Sequence, residues 1–372
     1  MSGMLDVLII GGGPAGTAAG MALRRRGRSV MIVEQRRFPR DKVCGECLSS
    51  LGIGVLERLG VAGAVRGQGA RELRRAVLYA TDGRACELNL PQAMWGISRR
   101  VLDATLLSTA TDAGTELFQP ARCEGIFGGA PPHALVRDLT NNTVHRIEAQ
   151  WIIVANGKGQ GASRDLGVKA RFENVNVPAD AIELFGLRGH YGGLAPIEDG
   201  YNAAFSVPAA RLRQCGRDLD AVMDRAIAQN VALARRLAGA RRVGDWIASP
   251  LPRFGVRGNW PSGVIPVGNA AAALEPIGGE GMGLALYSGE MAAEAIDAAL
   301  SGGAAIQEKL RAQFARLWRG RRIFCRAMAL ALSSPPAARV IIALGSAGIG
   351  VRVALAAVGK PRSSARFATA SQ

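Results

Sequence analysis

The chain has 372 residues, 48% apolar and 20% charged, a composition that has room for two or three domains and excludes a wholly disordered protein. Aromatics make up only 5% of it, too few for a nucleic-acid reader built on stacking platforms, so no nucleic-acid partner is expected. Lys and Arg number 46 against 30 Asp and Glu, and the resulting charge of +16 by itself suggests an acidic partner: nucleic acid, a membrane surface, an acidic carrier protein or a phosphorylated substrate.

Because only five of those 46 are lysines, the plainer alternative is a genome whose codons favour Arg. Six cysteines in a chain of this length do not make a disulfide framework and fit a reducing compartment. The apolar stretch 4–10 is short, contains Asp6 and runs into glycines, which reads as a strand rather than a secretion signal. The longest uncharged apolar run, 340–351, falls short of the ~20 residues that span a bilayer. A cytoplasmic protein is expected, with peripheral membrane contact as the variant.

In chain order, residues 7–10 read as a buried strand, 11–16 as a tight turn, 17–26 as a helix and 29–33 as a second buried strand. This is a βαβ unit and implies a parallel sheet. A helical pattern over 48–59 is followed by a hairpin over 76–90 that turns at Asp82-Gly83, then a helix over 98–113. A meander over 116–155 ends in the apolar strand 151–154. Strands follow over 181–191, 193–197 and 201–207, then one helix over 218–237, a short buried strand over 263–267 and a helix reaching 299. From 305 the pattern is helical and basic, and the last dozen residues read as a frayed tail. The spacing predicts a discontinuous nucleotide-binding domain over 1–78, 97–168 and 262–300. A sheet domain over 79–96 and 169–261 is inserted in it, and a basic helical region covers 301–372.

Gly11-Gly12-Gly13-Pro14-Ala15-Gly16 satisfies G-x-G-x-x-G between a strand and a helix. The first glycine turns the chain, the second lets a pyrophosphate approach the backbone, and the third lets helix and strand pack closely. Glu34 closes the second strand, where a carboxylate accepts hydrogen bonds from an adenosine ribose.

Val267-Gly268-Asn269-Ala270-Ala271, Pro276-Ile277-Gly278-Gly279-Glu280-Gly281-Met282-Gly283, Ser288-Gly289-Glu290 and Ala292-Ala293-Glu294 together resemble a flavoprotein pattern. It is the second FAD fingerprint of the p-hydroxybenzoate hydroxylase and geranylgeranyl reductase superfamily. Arg99-x-x-Leu102-Asp103 is similar to that family's helix motif, whose arginine reaches the FAD phosphates. The resemblance implies an α/β fold: a Rossmann-like FAD-binding domain of the glutathione reductase type, an inserted mixed β-sheet substrate domain and C-terminal helices. It implies FAD, held by Gly11, Gly13, Pro14, Ala15, Gly16, Glu34, Gln35, Lys42, Cys44, Gly45, Arg99, Gly157, Gly268, Asn269, Pro276, Gly279, Gly281, Met282 and Gly283. Asn269 stands where the family usually has Asp. Asn156 stands near an Asp-Gly motif that the hydroxylase branch links to pyridine nucleotide use, so NAD(P)H or a separate reductase is left open as electron donor.

Phe38-Pro39-Arg40-Asp41-Lys42-Val43-Cys44-Gly45-Glu46 resembles the P-x-x-K-x-C-G stretch of geranylgeranyl reductases, whose Cys-Gly lies beside the isoalloxazine. Cys44 and Cys47 also form C-x-x-C, which leaves a redox dithiol and two ordinary buried cysteines as alternatives. Zinc would need two further ligands, and no metal site is expected. Tyr191-Gly192-Gly193-Leu194-Ala195-Pro196 falls where those reductases carry Y-x-W-x-F-P and halogenases W-x-W-x-I-P. With Gly193 and Ala195 at the bulky positions, a pocket wall would lose two rings and admit a wider substrate; a plain sheet strand is the alternative. The expected catalytic set is Cys44, Gly45, His190 and Tyr191, with His190 as proton donor or as a merely structural histidine. His133 and His145 read as surface residues, and no counterpart of the halogenase lysine is seen.

The resemblance therefore implies an FAD-dependent oxidoreductase that reduces or forms a C=C bond in a small apolar isoprenoid, polyketide or lipid substrate, free or carrier-bound. Its rivals are an aromatic monooxygenase, a non-redox lycopene-cyclase-like flavoprotein and a simple electron carrier. Arg311, Arg316, Arg319, Arg321, Arg322 and Arg326, interleaved with Phe314, Leu317, Trp318, Ile323 and Phe324, suit contact with anionic lipid or an acidic carrier protein, or a solvated helix.

Overall fold

The structure is a computed structural model that describes residues 4–157, 162–302 and 306–347, without the side chains of 162–164. The expected frayed tail and residues 348–351 of the 340–351 run lie outside the described residues.

The apolar runs that begin the chain form Leu5–Ile10 and Val30–Val33, whose alternate side chains pack on both faces of one sheet. Five strands lie parallel in the order Glu116–Phe118, Val30–Val33, Leu5–Ile10, Val144–Val154 and Val264–Pro266. Val144–Val154 serves two layers. Its second half belongs to the parallel sheet, and its first half joins His133–Asp138 and Ala121–Phe127 as an antiparallel meander covering one face. The other face carries Pro14–Arg24, Arg99–Asp112 and Glu280–Leu300. The first and last of these helices cross at backbone distance, because a Cβ on Gly289 would overlap the Ala15 carbonyl. Three layers of this kind bury both sides of a parallel sheet, as its unbroken apolar strands require.

The second sheet has eight strands in the order Arg241–Pro252, Ala162–Glu173, Gly200–Val207, Tyr191–Ile197, Ala181–Gly186, Arg71–Tyr79, Ala85–Gly96 and Cys47–Leu48. Every pairing is antiparallel except Ala181–Gly186 with Arg71–Tyr79. Phe172, Phe185, Phe205 and Trp246 pack on one face beneath Leu219–Ala228 and Val231–Leu237. The other face looks at the nucleotide-binding layer. Ile306–Leu332 and Pro335–Ser346 close the molecule, with Phe314 and Trp318 buried in the main core.

Several boundaries differ from the sequence reading. Arg71–Tyr79 and Ala162–Glu173 are strands of the second sheet, so the expected divisions at 78/79 and 168/169 cut through strands. Glu116–Phe118 is parallel to Val30–Val33 and not part of the meander. The single helix over 218–237 is two, because the Asn230 carboxamide caps the second by accepting from the Ala232 and Leu233 N–H groups. Tyr191 opens a strand rather than ending one, and Arg241–Pro252, a half-exposed edge strand with weak alternation, escaped notice.

Candidate active site

One large cleft lies between the two sheets, with about 1590 Å³ of empty space that includes its open mouth. The nucleotide-layer wall contains Gly13, Pro14 and Ala15 from the first turn, Lys42–Cys47 from the loop after the second strand, Arg99, Gly157, and the segment from Val267 to Met282. The facing wall is the open side of the eight-stranded sheet. There Gly167, Ala204, Gly193 and Leu184 come from four successive strands and share one face by the pairings Gly167–Ser206, Ala204–Gly193 and Gly193–Leu184.

The glycines of the fingerprints fall into two groups. A Cβ on Gly16 would overlap the Gly11 carbonyl oxygen, and one on Gly11, whose φ is +113°, would lie 2.6 Å from the Ala155 oxygen. These two fix the turn. Gly13 is different, since its nearest neighbour to a Cβ is Arg99 Nη2 at 3.9 Å, while Gly45 and Gly281 would meet nothing within 4 Å. Their missing side chains are cleft space. Gly283 belongs to the first group: a Cβ there would overlap Ser49 Oγ, so it packs the helix Glu280–Leu300 against Ser50–Arg58 and does not line the cleft, contrary to the binding role expected for it. Gly279 takes φ +65° just before that helix, where an L side chain is disfavoured.

Positive charge gathers on the same wall. Arg99 is buried, with Nε and Nη2 each 2.6 Å from the Asp103 carboxylate, and this pairing raises the guanidinium against the opposing effect of its burial. Its guanidinium also reaches the Cys44 thiol. Lys42 has its Nζ beside Gly157, and burial, followed by Arg99 and Arg40, pushes its ammonium down to about 8. Two helix N-termini, at Pro14 and Glu280, add unpaired N–H groups to this wall. The combination of bare glycine backbone, two cations and two helix starts fits a dinucleotide pyrophosphate. Glu34 accepts from the Gly12 and Arg36 N–H groups, each at 2.8 Å, so it braces the turn and keeps lone pairs for a ribose hydroxyl. Gln35 is exposed and lies off the cleft lining. Asn269 and Pro276 line it.

Among the expected catalytic residues, Cys44, Gly45 and Tyr191 line the cleft and His190 does not. His190 sits at the turn before the Tyr191 strand, and its Nδ1 donates to the Arg188 carbonyl at 3.0 Å. Its ring lines a separate small hollow with Arg211 and Cys215, and burial lowers its affinity for a proton. His190 precedes the strand that Tyr191 opens, so of the two only Tyr191 is held on the sheet face that looks into the cleft. The two cysteines are also unequal. Cys44 is half-buried, its sulfur accepting the Glu46 N–H at 3.4 Å, whereas Cys47 is buried and burial pushes its thiol well up. Among the described residues no group of His, Cys, Asp and Glu could hold a metal ion. At the two expected gaps in the wall, Leu184 Cδ2 stands 3.2 Å from where a Gly193 Cβ would be, and Ala195 is covered by a cluster containing Leu73 and Met94. Neighbours reclaim part of the lost ring volume.

Sequence reasoning missed two ionic clusters on the cleft. Lys169 bridges Glu46 at 2.6 Å and Asp41 at 3.1 Å, and the carboxylates raise its ammonium although burial opposes them. A lysine between Val168 and Ala170 in an apolar strand was the available signal. Tyr191 Oη donates to Glu275 at 3.3 Å, and Arg326 Nη1 donates to the other carboxylate oxygen at 3.0 Å. Burial and Glu275 hold the Tyr191 phenol un-ionised, well above its usual range. Glu275 directly precedes the Pro276 segment, but nothing in the sequence joins it to a tyrosine 84 positions earlier.

Comparison with known proteins agrees with this architecture. Residues 4–327 match the family model described as FAD binding domain. The menaquinone reductase of Mycolicibacterium smegmatis is 27% identical over 338 residues, spanning 79% of this chain and 76% of that protein. Digeranylgeranylglycerophospholipid reductase 2 of Methanopyrus kandleri is 27% identical over 323 residues, 78% of each chain. A geranylgeranyl bacteriochlorophyll reductase-like protein of Thermoplasma acidophilum superposes with a TM-score of 0.79 at 21% identity, covering 95% of this chain and 96% of its own.

Proposed function

Because this chain belongs to the FAD binding domain family, as an FAD-dependent oxidoreductase of the geranylgeranyl reductase and p-hydroxybenzoate hydroxylase superfamily, we propose that it reduces a carbon–carbon double bond in an apolar isoprenoid-bearing quinone or lipid. The observation that carries the reading is the sheet wall of the cleft. Ile182, Leu184, Gly193, Ala195 and Ala204 present it with a low, apolar surface opposite the glycine-lined wall, suited to a flat or thin hydrocarbon rather than to a polar metabolite. The names of the menaquinone and digeranylgeranylglycerophospholipid reductases point the same way.

FAD, when bound and reduced, would supply the hydride, and with it the one electron pair, that such a reduction needs. The chain's own share is to hold the substrate, exclude water and give the second carbon its proton. Cys44 is our proton donor: it lines the cleft, its sulfur accepts the Glu46 N–H, and the Arg99 guanidinium lies within its reach. Tyr191 is a positioning residue, since its O–H is committed to Glu275 and Arg326 locks that carboxylate in turn. Asn156 in place of an acid supports electron supply by a separate reductase, with direct reduction by NAD(P)H slow.

The test is to reduce the FAD-loaded protein anaerobically and add menaquinone or a geranylgeranyl lipid. The expected result is return of the flavin colour together with a product heavier by two hydrogens. A product that gains an oxygen atom only after air is admitted would make the protein an oxygenase instead, and an isomer of unchanged mass would make it cyclase-like.

A further inference from the structure

The net charge of the chain is concentrated at one end. No acidic residue follows Glu308, and the 64 residues after it contain twelve Lys and Arg, which leaves the first 308 residues at only +4. Within the described part of this region, Arg321, Arg326 and Arg339 are paired with Glu280, Glu275 and Asp82. Arg316, Arg319 and Arg322 are exposed and have no carboxylate partner among the described residues.

The same helix pair carries the most exposed apolar side chains. Ile323 at 63%, Val340 at 57% and Leu330 at 55% are the three most exposed large apolar side chains among the described residues, and Leu344 is exposed too. Ile323 and Leu330 are two turns apart on Ile306–Leu332, while Val340 and Leu344 are one turn apart on Pro335–Ser346, so each helix presents its pair on one face. The opposite face of the first helix is anchored in the core through Leu310, Phe314, Trp318 and Cys325. No single described helix is long and apolar enough to cross a membrane, and the two bend by 114° at their junction.

We propose that the outer face of this helix pair docks the protein on an anionic lipid surface, with Arg316, Arg319 and Arg322 against the headgroups and Ile323 and Val340 inserted between them. Charge alone would equally suit a nucleic acid, but a polyanion in water gives exposed Ile and Val no partner, whereas the headgroup boundary satisfies both. Arg326, on the same helix, reaches Glu275 in the cleft wall, so docking holds the cleft about one helix diameter, ~10–12 Å, from the lipid. The inference depends on this surface alone and not on which substrate the cleft takes.

The experiment is sedimentation of the full-length, FAD-loaded protein with vesicles of phosphatidylcholine, with or without one third phosphatidylglycerol. Binding is expected only to the anionic vesicles, falling steeply as salt is raised from ~0.05 to ~0.3 M. The Arg316→Ala, Arg319→Ala, Arg322→Ala triple variant should bind about 100-fold more weakly, at roughly five-fold per arginine. An Ile323→Ser, Val340→Ser variant should lose about ten-fold. Retained flavin absorbance and an unchanged melting curve confirm that each variant is folded, and the wild-type lipid and salt comparison stands independently of them. Equal recovery with neutral and anionic vesicles overturns the proposal. So does a triple variant that binds like the wild type, or binding to duplex DNA that is tighter than to vesicles and indifferent to the Ile323 and Val340 changes.

Discussion

The two walls of the cleft use small residues for opposite purposes. On the nucleotide wall, Gly13, Gly45 and Gly281 have no neighbour near a would-be Cβ, so their absent side chains are the space a cofactor needs. On the sheet wall, a Cβ on Gly167 would lie 2.8 Å from the Val43 side chain, and one on Gly193 would sit 3.2 Å from Leu184. There the missing side chains are filled largely by the protein itself. A glycine in a motif therefore marks a ligand only when nothing else occupies its place, and the G-x-G-x-x-G turn holds both kinds within six residues.

The sharpest way to break this distinction is to substitute within that turn. Gly16→Ala forces a methyl onto the Gly11 carbonyl and should cost about 3 kcal/mol or more, a large share of the ~5–15 kcal/mol that holds a domain folded, seen as a lowered melting temperature. Gly13→Leu should fold with a melting temperature close to that of the cofactor-free wild type, yet purify colourless. A yellow Gly13→Leu protein would show that the open glycine is not cofactor space. The two cysteines extend the contrast to reacting groups. Cys44→Ala should keep FAD and lose one to three orders of magnitude in single-turnover rate, about 1.4–4 kcal/mol of barrier. Cys47→Ala, with its thiol buried and pushed up, should change the rate by less than about three-fold. Equal losses at the two positions would indicate a working dithiol.

Lys42 tests the electrostatics of the nucleotide wall. Its folded value of about 8 lies below the ordinary lysine value of 10.5, so between those two pH values the unfolded chain holds more protons than the folded one. The cofactor-free protein should therefore gain stability as pH rises through that window. A pyrophosphate beside Lys42 restores its charge, so FAD affinity should fall about ten-fold from pH 8 to ~9.5, measured by titrating stripped protein. Lys42→Met should flatten both dependences. The smallest effect belongs to His190→Asn, which lies outside the cleft: turnover at saturating substrate should stay within about two-fold of wild type at every pH from 6 to 9. A lost proton-donor limb in that profile would bring the histidine back into the site.

Much of the nucleotide wall was legible because its signals are local. The first strand, the glycine turn, the helix and Glu34 lie within 34 consecutive residues, and each position answers to a backbone requirement that a one-dimensional pattern records. Arg99 and the second glycine segment could be added because their resemblance is carried by contiguous motifs. The sheet wall was read less well. Its strands pair across gaps of tens to more than a hundred residues, as Ala181–Gly186 does with Arg71–Tyr79, and weakly alternating edges such as Arg241–Pro252 give no clear period.

The sequence by itself determined that a dinucleotide would be held on glycine backbone at the end of a parallel strand, because turn geometry and helix-start N–H groups depend on residues a few positions apart. Only the tertiary structure decided which side chains meet in the cleft. It joined Tyr191, Glu275 and Arg326 into one chain of hydrogen bonds, seated Lys169 between Glu46 and Asp41, and turned His190 away from its neighbour Tyr191. Those outcomes rest on strand register and on which face of a sheet is covered. Both are settled by burial summed over the whole fold, and no single stretch of the chain contains that sum.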